Sequence, residues 1–142
     1  MKKRSRRTIR AELVPPLVAT MVVAPFAELR NHAALENLRS GKGSRDDFNL
    51  LADAHGSLLL GATMADELDV VAAAETFRAD FISIRDRAQR TGKYSVSGDE
   101  WANLCSMLEI SEAFWPQQSA VTLVDTYREL KRRREIELRQ DP

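Results

Sequence analysis

Residues 64–90 read MADELDVVAAAETFRADFISIRDRAQR. Within them Val70, Ala74, Phe77, Phe81, Ile84 and Ala88 are separated by 4, 3, 4, 3 and 4 residues, which places all six side chains in one narrow stripe of an α-helix. Acids fill the first turns (Asp66, Glu67, Asp69) and bases the last (Arg85, Arg87, Arg90), as the helix dipole prefers. The pattern predicts one rod from Met64 to Arg90, ~40 Å long, ended by Gly92. The remaining stretches read as helices packed on its stripe.

Working outward, Ser97-Gly98-Asp99-Glu100 is a capping box opening a helix with Trp101, Leu104, Cys105, Leu108 and Phe114 on one side, blocked by Pro116. A last helix starts near Ser119, carries Leu123, Val124, Tyr127 and Leu130, and projects past the core at Lys131–Arg134. On the other side, Ser44–Asp47 caps a helix bearing Phe48, Leu51, His55, Leu58 and Leu59. Gly56 weakens it by ~1 kcal/mol, and Gly61 is the expected terminator. Thr63–Asp66 has the form of a further cap. Phe26, Leu29, Ala33, Leu35 and Leu38 mark a helix ended by Ser40–Gly43. Before it, Pro15-Pro16 predicts extended chain over 12–16, and Leu17–Ala24 a short helix stopped at Pro25. Lys93–Val96 alternates, but is too short to found a sheet.

The expected fold is therefore an all-α bundle of four or five helices around a long central helix, about 64–90, flanked by helices at 27–39, 44–60, 98–115 and 119–136. A basic, mobile arm over 1–16 precedes a single domain over 17–142. Trp101, Phe77, Phe81, Phe114 and Phe48 are the expected core aromatics.

The 142 residues, 44% apolar and 30% charged, suffice for one ordered domain. One cysteine, Cys105, allows neither an internal disulfide nor a cysteine metal cluster. Net charge is zero but unevenly spread: six bases and no acid in 1–10, six bases and four acids in 128–142, and nine bases against seventeen acids between. An acidic body thus carries two basic ends. Ser5–Ile9 looks like a twin-arginine export motif, but Glu12 and Pro15-Pro16 interrupt the apolar run that follows. The run also falls short of the ~20 residues of a membrane span. A cytoplasmic protein with no membrane partner is expected.

Chemistry-bearing motifs are sparse. His32 and His55 stand near no nucleophile elbow. No Glu-x-x-His pair or calcium loop occurs, and Ser40–Ser44 lacks the spacer and residue order of a phosphate loop. No cofactor, metal site or catalytic residue is expected. Basic ends suit phosphate contact through Lys2, Lys3, Arg4, Arg6, Arg7, Arg10, Lys131, Arg132, Arg133 and Arg134, against repulsion from the acidic body. A helix-turn-helix reading of Glu100–Ser111 fails: the spacing from Ala102 to Ile110 is about three residues too long, and Glu112 stands where a base-reader is wanted.

Arg30–Ala34, Gly43, Asp46–Leu50, Arg90–Tyr94 and Glu100–Glu109 together resemble a group of small uncharacterised proteins of phages, prophages and mobile elements of proteobacteria, some labelled Fis-type transcriptional regulators. The resemblance implies a phage or mobile-element origin. Small phage proteins often inhibit host systems, anti-defence proteins among them. The functional expectation is a non-enzymatic interaction protein bound to a host protein complex in the bacterial cytoplasm. The alternative is a nucleic-acid-associated regulator gripping phosphates with its basic termini, and self-association through the apolar stripe is open to light scattering. Phe77→Ala or Phe81→Ala is expected to cost ~3–5 kcal/mol, read as a lowered melting temperature.

Overall fold

The computed structural model describes residues 15–140, with side-chain surroundings from residue 28 onward. Among the described residues six α-helices follow one another: α1 (Pro15–Ser40), α2 (Arg45–Met64), α3 (Leu68–Thr76), α4 (Arg78–Thr91), α5 (Gly98–Phe114) and α6 (Ala120–Gln140), with a 3-10 turn at Trp115–Gln117 between the last two. This is the all-α bundle that the apolar periodicity predicts. Among the described residues extended pairing is limited to one antiparallel bridge between Gly43 and Tyr94.

The apolar stripe is core: Ala74, Phe77, Phe81, Ile84 and Ala88 are buried and Val70 is half-buried. It does not belong to one rod. The chain turns after Met64 and again at Phe77, so the expected helix over 64–90 is two helices. At the first break Asp66 adopts a left-handed φ of +55°, and the Glu67 N–H reaches back to the Ala62 carbonyl at 3.0 Å. That is a helix-ending geometry usually given to glycine. Thr63 is not a cap; its hydroxyl donates to the Leu59 carbonyl at 2.7 Å.

The second break has a different cause. In a continuous helix the Ala74 carbonyl would accept from the Arg78 N–H. Here it accepts from the Phe77 N–H at 3.2 Å and faces Nε2 of His55 on α2 at 2.7 Å. A carbonyl only accepts, so His55 carries its proton on Nε2. A side chain inserted into the hydrogen-bond ladder is a recognised cause of helix bends.

The hub is α2 rather than the 64–90 stretch: it packs against α1, α3, α5 and α6. Leu51, Leu58 and Ala62 are fully buried. Its start is the predicted capping box: Ser44 Oγ accepts from the Asp47 N–H at 3.2 Å, and the Asp47 carboxylate accepts from the Ser44 N–H at 3.0 Å. Gly61 does not terminate it. A Cβ at Gly61 would lie 2.5 Å from the Trp115 ring, so glycine there admits the indole.

Cross-helix contacts fix the directions. His32 on α1 pairs with Glu112 on α5, and the Arg39 guanidinium lies 5.8 Å from the Trp101 ring centre, so α1 and α5 run antiparallel. Trp101 is therefore not core; it is 38% exposed beneath Arg39. Phe48 is half-buried, edge-on to Phe81 and beside Tyr94. α1 runs on through Pro25, where a stop was expected, and begins at Pro15, where extended chain was expected. Prolines in the first turn remove only N–H groups that have no helical acceptor. α4 ends at Gly92 with φ +74°, as predicted.

Two glycines of α2 give opposite expectations. Gly61→Ala drives a methyl into Trp115 and is expected to cost ~1–3 kcal/mol. Gly56 has open space at its Cβ position, so Gly56→Ala is expected to add ~0.5–1 kcal/mol by restoring helix propensity. Urea denaturation of both variants checks the pair.

Candidate interaction surface

Lys2, Lys3, Arg4, Arg6, Arg7 and Arg10 lie outside the described residues. Lys131, Arg132, Arg133 and Arg134 lie on α6, where all of residues 131–140 are exposed, so the helix does project past the core. Glu129 accepts from Arg132 Nε at 2.9 Å and Nη2 at 2.5 Å, and from Arg133 Nε at 3.0 Å. Hydrogen bonds from Arg132 and then Arg133 hold its carboxyl at about 2. Arg134 approaches Asp53 of α2 at 3.8 Å. Three of the four bases thus face a carboxylate; among the described residues, Lys131 has none within that reach. The Glu129 to Arg132 and Arg133 spacing of three and four residues is readable in the sequence as a helical ion-pair pattern.

On the same helix Val121, Tyr127 and Leu138 stand 69%, 46% and 71% exposed, and Ile136 is exposed as well. Thr126 is buried against α2, with its hydroxyl 3.6 Å from the Met64 sulfur. α6 is therefore held along its first half and presents apolar and paired-charge groups outward.

The other candidates resolve into structural roles. His55 is the buried donor at the α3–α4 bend, and His32 joins α1 to α5. Cys105 is half-buried, and burial, with Glu109 nearby, pushes its thiol above the usual range. Among the described residues no three His, Cys, Asp or Glu side chains gather as a metal-holding group. Ala102 and Ile110 lie in one unbroken helix, α5, which leaves no room between them for the turn of a helix-turn-helix. An open groove of about 300 Å³ runs between α1 and the start of α2. Asn37 there donates to Asp47 at 3.4 Å, so its rim is already engaged in structure.

Sequence reading misses one charged group of consequence. Arg87 on α4 donates from Nη1 and Nη2 to the two carboxylate oxygens of Glu100 on α5, at 2.8 and 3.0 Å, and from Nη1 to the Ser95 carbonyl at 2.9 Å. Glu100 also accepts from the Ser97 N–H at 2.7 Å, its part in the predicted capping box. Burial opposes ionisation of this carboxyl, yet the bonds from Arg87, the Ser97 backbone and Ser83 hold it at about 2.

No family model matches the chain, and no curated protein or solved structure matches it. No helix among the described residues is long and apolar enough to cross a membrane.

The Glu100 carboxyl titrates lower in the folded chain than in the unfolded one, near 4.3. Its stabilisation is complete above that unfolded value and is lost as pH falls from there toward 2. The loss is on the order of 3 kcal/mol. Glu100→Gln is expected to be markedly less stable than the parent at pH 7 and to approach it near pH 2–3, checked by urea midpoints at both pH values.

Proposed function

We propose that the protein is a non-enzymatic interaction protein of a phage or mobile element, which binds a host protein through α6 and modulates it. The observation that carries this reading is the outer half of α6. It extends helical order over ten exposed residues, and Tyr127 just ahead of it and Leu138 within it share one exposed face, beside arginines whose charge is met by Glu129 and Asp53. An amphipathic helix with exposed apolar anchors suits a groove on another protein. Exposed apolar side chains mark contact surfaces when they stand together on one element. The mobile-element origin is supported by the resemblance of Arg30–Ala34, Arg90–Tyr94 and Glu100–Glu109 to that group. Inhibition of a host defence complex is the narrower form of the same reading, and a bacterial cytoplasm is where such a target lies.

Phosphate gripping by the basic ends is the competing reading. On α6 a phosphate would have to draw Arg132 and Arg133 away from Glu129, which weakens its case on that helix. The two readings separate by experiment. Tagged parent chain incubated with host lysate is expected to retain a protein that survives nuclease treatment. The double variant Tyr127→Ser/Leu138→Ser is expected to lose it while keeping the parent's helical circular dichroism. Equal retention by parent and variant counts against the α6 surface. Binding of duplex DNA at low salt, falling steeply as salt rises, would favour the nucleic-acid reading instead.

A further inference from the structure

Met64, Leu68 and Val121 are apolar side chains that stand 42%, 72% and 69% exposed. They come from two elements that meet. The Thr126 hydroxyl lies 3.6 Å from the Met64 sulfur, and Gln118 Nε2 donates to Glu67 at 3.2 Å. The α2–α3 turn therefore lies along the start of α6, which brings Met64, Leu68 and Val121 to one end of the bundle. Asp66, Asp69 and Asp125 are exposed at the same end, and Glu67 is half-buried there.

The charge around this face has one sign. Residues 46–77 hold seven acids and no lysine or arginine, and residues 94–127 hold five acids and again neither. These two base-free stretches are the ones that meet here. The bases that next follow them are Arg78, engaged by Glu75 at 3.0 Å, and Arg128, two turns beyond Val121. An exposed apolar face rimmed by carboxylates suits a basic segment that also carries aliphatic side chains.

The chain contains such a segment. Residues 2–14 read KKRSRRTIRAELV, with six bases, the single acid Glu12, and Ile9, Leu13 and Val14. Its point of attachment is at the matching end of the bundle. α1 and α2 are packed together and joined by the short turn over 41–44, and Asn37 donates to Asp47 at 3.4 Å, so the two helices run antiparallel. Along α1, Pro15 is ~33 Å from Asn37, and along α2, Met64 is ~26 Å from Asp47. Both lengths lead to the α2–α3 turn. The residues before Pro15 span up to ~46 Å when extended, which is ample reach.

We propose that residues 2–14 dock on the Met64, Leu68 and Val121 face of their own chain, their bases against Asp66, Glu67, Asp69 and Asp125 and their aliphatic side chains on the apolar centre. A short tether holds the segment near this face at an effective concentration in the millimolar range, which favours the chain's own segment over that of a second copy. A phosphate that draws on these bases has first to displace them from the carboxylates.

The test is zero-length carbodiimide coupling in the full-length chain, which joins a lysine amine to a carboxylate in contact with it, read by peptide mass spectrometry. Lys2 and Lys3 are expected to couple to Asp66, Glu67, Asp69 or Asp125, in the monomer band and independently of chain concentration. In Arg7→Lys/Arg10→Lys, which keeps the charge, the new amines are expected to couple to the same four. The yield is expected to fall about tenfold in ~0.5 M salt. Leu68→Ser, a change at an exposed site, is expected to lower it severalfold with unchanged helical circular dichroism. Asp66→Asn/Asp69→Asn is expected to lower coupling to Glu67 and Asp125, and asparagine suits the left-handed φ at position 66. Absence of coupling overturns the proposal, as does coupling to Asp46, Asp53 or Glu137 as strong as to these four. Coupling found in a dimer band alone assigns the face to a second copy and overturns it too. An undiminished yield in Leu68→Ser does the same, since charge alone then accounts for the contact.

Discussion

Burial of the Leu51–Leu58–Ala62 side of α2 is the interaction on which the rest of the molecule depends. These three side chains are inaccessible to solvent, and α2 touches α1, α3, α5 and α6. Each buried leucine is worth about 1.5–3 kcal/mol, against a net stability for a domain of about 5–15 kcal/mol. The apolar stripe shared by α3 and α4 covers one side of this hub, and the close approach of Trp115 at Gly61 closes its far end. A periodic stripe marks a helix that is buried on one side, and such a helix belongs to the periphery of a bundle. The centre is the helix whose apolar residues are spread more widely around it.

That distinction explains which parts of the fold are legible in the sequence. Local chemistry is: the capping boxes at Ser44 and Ser97 form as written, and Gly41 and Gly92 end their helices with left-handed φ values of +83° and +74°. The burial of Phe77, Phe81 and Phe114 follows from spacing alone. What escapes reading is decided by residues far apart in the chain. At Phe77, where α3 ends, an imidazole from position 55 meets the Ala74 carbonyl. Gly61 is tolerated inside a helix because an indole from position 115 needs the space. Trp101 stays at the surface because α1 delivers Arg39 over its ring instead of an apolar partner. In each case the local signal is a glycine or an aromatic whose ordinary meaning meets a tertiary contact from far along the chain.

The candidate surface divides in the same way. The position of Lys131–Arg134 beyond the core is legible, since the apolar stripe of α6 thins after Leu130. Their partial neutralisation is legible too, from Glu129 three and four residues upstream. The contact of Arg134 with Asp53 is not, because it depends on α6 lying antiparallel along α2. The Arg87–Glu100 pair could be found only in part: the capping box names Glu100 as buried against its own helix start, but nothing local joins it to a residue thirteen positions earlier on another helix.

The same contacts separate the braced helices from the least braced one. α4 is fixed at both ends, by the His55-braced bend at its start and by the two-toothed Arg87–Glu100 contact near its finish. α1 and α5 are tied to each other by His32–Glu112 and Arg39–Trp101, and α2 has a neighbour on most sides. Among the described residues, α6 is anchored over its first half, at Thr126 and the half-buried Leu123 and Leu130, and beyond it meets the body through Arg134 and Asp53. Ten exposed residues of helix held to the body only by a 3.8 Å ion pair among the described contacts are marginal in water. The Glu129 ion pairs support only the first turn of that extension. Ile136 and Leu138 are apolar side chains that stand exposed in that segment, and they are what supports the proposed partner surface on α6.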